Sequence, residues 1–366
     1  MTETKAVENQ NVELDLMELI RIAYENKASD LFIKEDNTPI MRQHGKVFPL
    51  PGEYPILDYR MCRDLCYSVM SHEQVNRFEH KHEMDLAFSV EGACRVRANI
   101  YSQRVSTAGC FRMIPLRHYT LDELGMPPVL AEMCKNRQGL ILITGPTGCG
   151  KSTTLAAMID IINQKRRCHI VTIEDPIEFV HMDNHAIVSQ REVGIDTDNF
   201  LVALKAVVRE SPDVILIGEM RDPETMHAAL QAAETGHLVF STVHTPSAAE
   251  TLDRVINMFP PEEKKHITER MAGSLRAVVA QKLVPRIDGR GRAAAVEIMV
   301  VTPTISKLIE DGHFGEIYHA ISEGSFWGMQ TMNQCLLKYV RAGIISEEEA
   351  FNFAGVLSEL RQLLRH

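Results

Sequence analysis

"LILITGPTGCGKSTTLAAMID", residues 140–160, reads as an apolar strand, a glycine-rich turn and a helix carrying Leu155, Met158 and Ile159 on one face. Within it, "GPTGCGKST" at 145–153 matches G-x-x-x-x-G-K-[ST] in the strand–helix setting that motif requires. Gly145, Gly148 and Gly150 let backbone N–H groups turn inward on phosphates, with Pro146, Thr147, Cys149 and Thr153 completing the loop. Lys151 is expected to reach the β and γ phosphates and Ser152 to ligate Mg2+, so ATP with Mg2+ is the expected ligand pair.

Outward from this loop the rhythm is strand, loop, helix. Strands are expected at 140–144, 169–173, 214–217, 238–243 and 294–301, and the last hundred residues read as mostly helical. Near-continuous apolar strands alternating with amphipathic helices imply a largely parallel, doubly covered sheet. Before residue 115 the pattern differs. One helix through Leu16, Leu19, Ile20 and Ala23, another over roughly 58–80, and alternating strands with turns at His44-Gly45 and near Glu91-Gly92 and Ser106 indicate an α+β unit with an antiparallel sheet. The expected organisation is a flexible leader at 1–13, an amino-terminal domain at 14–114, a linker with a docking helix at 115–138, and an ATPase domain at 139–366.

Two strand ends bring acids toward the loop. "VILIGEMRD", 214–222, is a buried strand releasing Glu219, placed to orient and deprotonate an attacking water. Gly218 stands where a metal-binding Asp is usual, so "VTIEDPIEF", 171–179, is expected to supply the acids, with Glu178 a metal ligand and catalytic candidate beside Glu174 and Asp175. "TGHLVFSTVHT" sets His237 and His244 at the two ends of another strand, where either could sense a γ phosphate. His181 and His185 form an i, i+4 pair without a third ligand and read as surface. Arg95, Arg97, Arg104 and Arg112 precede the phosphate-loop domain and are candidates for reaching a nucleotide across a subunit boundary.

Bulk properties bound the rest. The chain has 366 residues, 45% hydrophobic and 24% charged, with formal charge -10, which argues against a general nucleic-acid binder. Its eight cysteines form no CxxC pair and suit reduced thiols in a cytoplasmic protein. No apolar run is long enough to span a membrane, so membrane contact is expected through a partner. A small-molecule kinase, a recombinase-like motor and a non-hydrolysing scaffold fit less well. The kinase lacks an arginine-rich lid, the recombinase lacks basic-aromatic loops, and the scaffold would not need Lys151, Ser152, Glu178 and Glu219.

"GPTGCGKSTTLAAMID", "TIEDPIEF", "SQREVG", "PDVILIGEMRD" and "AAETGHLVFSTVHT", flanked by "ASDLFIK" and "GMQTMNQCL", resemble the type IV pilus retraction ATPases of the secretion-ATPase superfamily. The resemblance implies a PAS-like amino-terminal domain, a RecA-like ATPase domain and a homohexameric ring. It implies a motor at the inner-membrane pilus base that works with a platform protein, and alongside a paralogous ATPase. It makes Glu219 the Walker B acid and matches His237 and His244 to a His box. Arg97 and Arg112 are the best matches for arginines supplied by a neighbouring subunit. Two stretches depart from the family: Ser211-Pro212-Asp213 replaces Asp-Pro-Asp, and "TISKLIED", 304–311, lacks the arginines of the family's A-I-R-N-L-I-R-E. The second departure keeps open an accessory retraction motor, or a related assembly or type II secretion ATPase.

Overall fold

A computed structural model describes residues 14–365 apart from His44 and residues 116–118. The leader expected at 1–13, the His44 half of one turn and part of the expected linker therefore lie outside the described residues. The chain divides into two compact units, Met1–Leu116 and Arg117–His366.

The first unit runs α1 (Leu16–Glu25), β1 (Asp30–Ile33), β2 (Ile40–Gln43), β3 (Lys46–Pro49), α2 (Tyr59–Tyr67), α3 (His72–Lys81), β4 (Glu83–Val90), β5 (Cys94–Gln103) and β6 (Ser106–Pro115). Its six strands form an antiparallel sheet ordered β3-β2-β1-β6-β5-β4. One sheet face packs on the helices through Leu16, Leu19, Ile20 and Ala23 of α1, Cys62, Leu65 and Cys66 of α2, and Phe78 of α3. The helix expected over 58–80 is two helices. Ser71 starts the second with a reciprocal capping box to Gln74, which ends the periodicity of the first. The turn expected near Ser106 lies at Arg104-Val105, both with positive φ.

The second unit begins with α4 (Val129–Met133) and β7 (Gly139–Thr144), followed by α5 (Lys151–Lys165), β8 (His169–Glu174), β9 (Ile187–Glu192), α6 (Phe200–Val207) and β10 (Val214–Ile217). It continues with α7 (Pro223–Glu234), β11 (Leu238–Val243), α8 (Ala248–Asn257), α9 (Pro261–Ser274), β12 (Leu275–Pro285) and β13 (Arg292–Val300). It ends with α10 (Pro303–Glu310), α11 (Phe314–Glu323), a 3-10 turn at Ser325–Trp327, α12 (Met332–Arg341), α13 (Glu347–Phe353) and α14 (Leu357–Leu363).

Seven strands are ordered β13-β12-β7-β11-β10-β8-β9, parallel except for β13. Both faces are covered because β7 alternates. Leu140 and Leu142 join the core beneath α6 to α11, while Ile141 and Ile143 join the opposite core beneath α4 and α5. Residues expected as linker belong to that second core, through Leu121, Met126, Leu130, Met133 and Cys134.

Two strands were not expected. β9 is an edge strand of mixed polarity, "IVSQRE", without the apolar run of a central strand. β12 follows α9 directly, helix to strand at Ser274-Leu275, so no turn residue announces it. The outer edge of β13 is closed by side chains: Gln330 donates to the carbonyl of Val296, and Tyr339 to that of Ala294.

Candidate active site

The carboxyl ends of β7, β8, β10 and β11 point the same way, so the loops leaving them gather at one end of the sheet, where open α/β folds bind ligands. There they enclose a cavity of about 530 Å3, lined among others by Lys151, Ser152, Glu174, Glu178, Glu219 and His244.

Gly145 opens the phosphate loop at φ +139, and a Cβ there would lie 2.3 Å from the carbonyl oxygen of Gln281. Glycine is therefore required by both backbone conformation and space. Gly150, at φ 89, leads into α5 with no side-chain cap, so the first N–H groups of this helix are left to an anion. Lys151 is buried, and its ammonium donates to the carbonyls of Gly145 (2.8 Å) and Pro146 (3.0 Å). The curled loop thus holds its own lysine where phosphate oxygens could replace those carbonyls.

Beneath the loop lies Gln281 of β12. Its Nε2 donates to the carbonyl of Cys149 (2.7 Å), and its Oε1 accepts from the hydroxyl of Thr154 (2.8 Å). Both ends of one buried amide thereby tie β12 to the loop and to α5. Burial also raises the Cys149 thiol above its ordinary pKa.

The acids occupy two levels. Glu174 ends β8, where its Oε1 accepts from Thr172 (2.6 Å) and Gln190 (3.1 Å), and burial pushes its carboxyl above the ordinary range. Glu219 follows β10. Its Oε1 lies 2.7 Å from Arg221 Nη2, and its Oε2 lies 3.5 Å from His244 Nε2. Thr242 of β11 donates to the carbonyl of Gly218 (2.7 Å), which pins the turn that presents Glu219.

A model of the family described as "Type II/IV secretion system protein" matches residues 5–297 of this chain. The chain belongs to that family. Among its relatives, the "Type IV pilus retractation ATPase PilT" of Pseudomonas aeruginosa is 45% identical over 337 residues, covering 92% of this chain and 97% of the relative. The "Type IV pilus ATPase PilU" of the same organism is 39% identical over 352 residues, covering 96% and 92%. A crystal structure of the pilus retraction motor PilT with bound ADP superposes with TM-score 0.88 at 40% identity, covering 96% of this chain and all of that one (100%). The mixed α/β architecture with two sheets is thus the fold of that family's ATPases.

Of the residues singled out in the sequence, the phosphate-loop positions Thr147, Gly148, Gly150, Lys151, Ser152 and Thr153 line the cavity together with Glu174, Glu178, Glu219 and His244. His237 does not. It precedes β11 at the amino end, roughly 20 Å from His244 at about 3.3 Å per strand residue, and its Nδ1 pairs with the carbonyl of Ala232 (2.8 Å) at the end of α7. Its place is that of a helix-end residue. Of the pair expected at the surface, His185 is exposed, whereas His181 is buried and lines the cavity; residues 181–183 form no helix, so the i, i+4 spacing puts the two on no shared helical face.

Arg97 and Arg112 belong to the first unit, directly opposite each other on β5 and β6. Arg292, Leu283 and Gln281 were missed. Only Gln281, a lone amide in the apolar run "AVVAQKLV", carried a visible signal. Ser211 sits at φ 55, and Asp213 accepts from the backbone N–H of His169 (2.8 Å).

Proposed function

We propose that this chain is an ATP-hydrolysing motor that powers type IV pilus retraction and twitching motility. What carries the reading is the meeting of Lys151, Ser152, Glu174, Glu178, Glu219 and His244 on one cavity, in a chain 45% identical to a pilus retraction ATPase.

In this reading Lys151 and the amides of the 145–153 loop hold the β and γ phosphates. Glu219 orients the attacking water and takes its proton, and His244 reports the γ phosphate to that carboxylate across their 3.5 Å contact. Hard oxygen donors suit Mg2+. Ser152 and Glu178 would hold it, with Glu174 behind them, and once bound it would offset phosphate charge. Few protein ligands are needed, since Mg2+ on a nucleotide keeps phosphate and water oxygens.

The first unit is read as PAS-like and the second as RecA-like, in a homohexamer where Arg97 and Arg112 of one subunit complete the site of its neighbour. No helix among the described residues is long and apolar enough to cross a membrane. The proposed location is the cytoplasmic face of the inner membrane, on a pilus platform protein. A second reading, an accessory PilU-like motor, is favoured by α10, where Lys307 pairs with Glu310 and Asp311 in a segment without arginine.

The test pairs phosphate release by the purified chain under Mg2+ and ATP with replacement of the gene by its Lys151→Ala form. Loss of turnover, with surface pili retained and twitching lost, is the expected result. Wild-type turnover by the variant would refute the site, and normal twitching despite lost turnover would refute the pilus role.

A further inference from the structure

One carboxylate stands among three guanidinium groups in the first unit. Strand register places Arg42 of β2, Asp30 of β1, Arg112 of β6 and Arg97 of β5 in a single row across the sheet. Directly paired residues share a face, and the buried Val96 and Ala98 flanking Arg97 point to the other one, where the core lies. Like charges directly opposite each other, as Arg97 and Arg112 are, destabilise a sheet. One acid against three bases leaves the row cationic.

Asp30 is unlike an ordinary surface partner. Its side chain is 4% exposed, whereas that of Arg112 is 66% exposed. Oδ1 accepts from Arg112 Nε at 3.0 Å. Oδ2 accepts from the Ser29 hydroxyl at 2.7 Å and lies 3.4 Å from Arg42 Nε. Arg42 is occupied a second time, stacked over the Phe32 ring at 5.3 Å. A guanidinium recognising a carboxylate for its own sake commonly offers two parallel N–H bonds. Here Arg112 is held by Nε, the inner nitrogen, and its terminal NH2 groups lie outside that bond.

We propose that Asp30, in the "ASDLFIK" stretch that the catalytic reading leaves unused, is the positioning residue for Arg112. Its buried carboxylate fixes the inner nitrogen so that the outer NH2 groups are presented, already ordered, to the γ phosphate of a neighbouring subunit. The inference rests on the reading of Arg112 as an arginine acting between subunits. Holding the guanidinium in advance removes the rotamer freedom a long exposed side chain would lose at the moment of reaction.

The test is a double-mutant cycle on the full chain, with Asp30→Asn, Arg112→Ala and the double variant compared by turnover, KM for ATP, gel filtration and melting. Asp30→Asn should lower kcat by about tenfold to 10²-fold, the scale of a misplaced group, with KM little changed. Adding Asp30→Asn to Arg112→Ala should cost nothing further, because nothing remains to position. Asp30→Asn takes from Arg42 and Arg112 the counter-charge they share, so it is also made with Arg42→Ala, and that pair is read in the same cycle if the single variant does not fold. Wild-type turnover in Arg112→Ala would overturn the intersubunit reading and the proposal with it. A slow Arg112→Ala beside a wild-type-like Asp30→Asn, or losses that add in the double variant, would overturn the role of Asp30 alone.

Discussion

Arg221 Nη2 lies 2.7 Å from Glu219 Oε1, joining an arginine whose side chain is 75% exposed to a carboxylate that is 16% exposed. An ion pair with one partner so open to water is worth about 0–1 kcal/mol and exchanges readily for another anion. Arg221 lines the same cavity as Lys151, so its guanidinium can pass from Glu219 to phosphate and free the carboxylate to face water. Arg221→Ala should therefore keep its melting midpoint within about 2 °C, while turnover falls by roughly tenfold or more, the scale of a lost charge contact to phosphate. A large drop in melting with turnover intact would make the pair structural instead.

Glu219→Gln separates binding from chemistry. The amide keeps size and hydrogen bonding but cannot take a proton, so hydrolysis should fall by about 10²-fold or more with nucleotide affinity preserved. Equilibrium binding of a fluorescent nucleotide beside phosphate release reads both quantities. Normal hydrolysis would move the base to Glu178.

Gln281 offers a test of the loop's scaffold rather than its chemistry. Gln281→Leu keeps the apolar bulk but strands the carbonyl of Cys149 and the hydroxyl of Thr154, each costing about 1–3 kcal/mol when buried without a partner. Melting should drop by several degrees and KM for ATP should rise, since the loop that curls around phosphate loses its support. An unchanged KM would show that the loop holds its shape without β12.

The parts of the site that were legible before the structure are those whose chemistry is local. Gly145 to Thr153 announce their backbone curl by composition, and Glu219 stands out because the apolar run before it stops at Gly218. Gln281 reaches the loop from more than a hundred residues away, through pairing of β12 with β7 that no local pattern encodes. His237 and His244 look equivalent in sequence, flanking one strand, and only the direction of β11 in the sheet sends one to the cavity and the other to the opposite end. Over 58–80 the break between two helices is marked by the capping box of Ser71 and Gln74, a signal carried by two polar residues and not by the apolar period.

Glu174 gives a prediction with a sign. Burial raises its carboxyl above the ordinary 4.5, so the folded chain binds this proton more tightly than the unfolded chain. Stability from this group then falls as pH rises from about 4.5 toward the raised value in the folded state. Glu174→Gln keeps an oxygen to accept from Thr172 and Gln190 but never ionises. It should melt above the wild type at pH 8, with the gain shrinking as the pH approaches about 4.5. Turnover should fall, as expected where a buried acid is kept for function. A stability difference that does not vary with pH would contradict this account.

Assembly gives the last prediction. Arg112 and Lys151 belong to different compact units of the chain, and a guanidinium keeps its charge at any working pH and can bind phosphate through two parallel bonds. If Arg112 serves a neighbouring subunit, each site takes Lys151 from one chain and Arg112 from the next. Lys151→Ala alone should form inactive rings, and Arg112→Ala alone rings of low residual turnover. In mixed rings, a boundary where a Lys151→Ala subunit lends its arginine to an Arg112→Ala subunit holds one intact half from each parent. Random mixing in equal parts should place such boundaries in most rings, so part of the wild-type turnover should return as subunits exchange. The recovery should scale with the product of the two fractions and peak near an equal mixture. Mixtures no more active than the weighted average of their parents, with exchange proven by a fluorescent label on one of them, would place Arg112 outside its neighbour's site. Repeating the series with Arg97→Ala then decides which of the two facing arginines crosses the boundary.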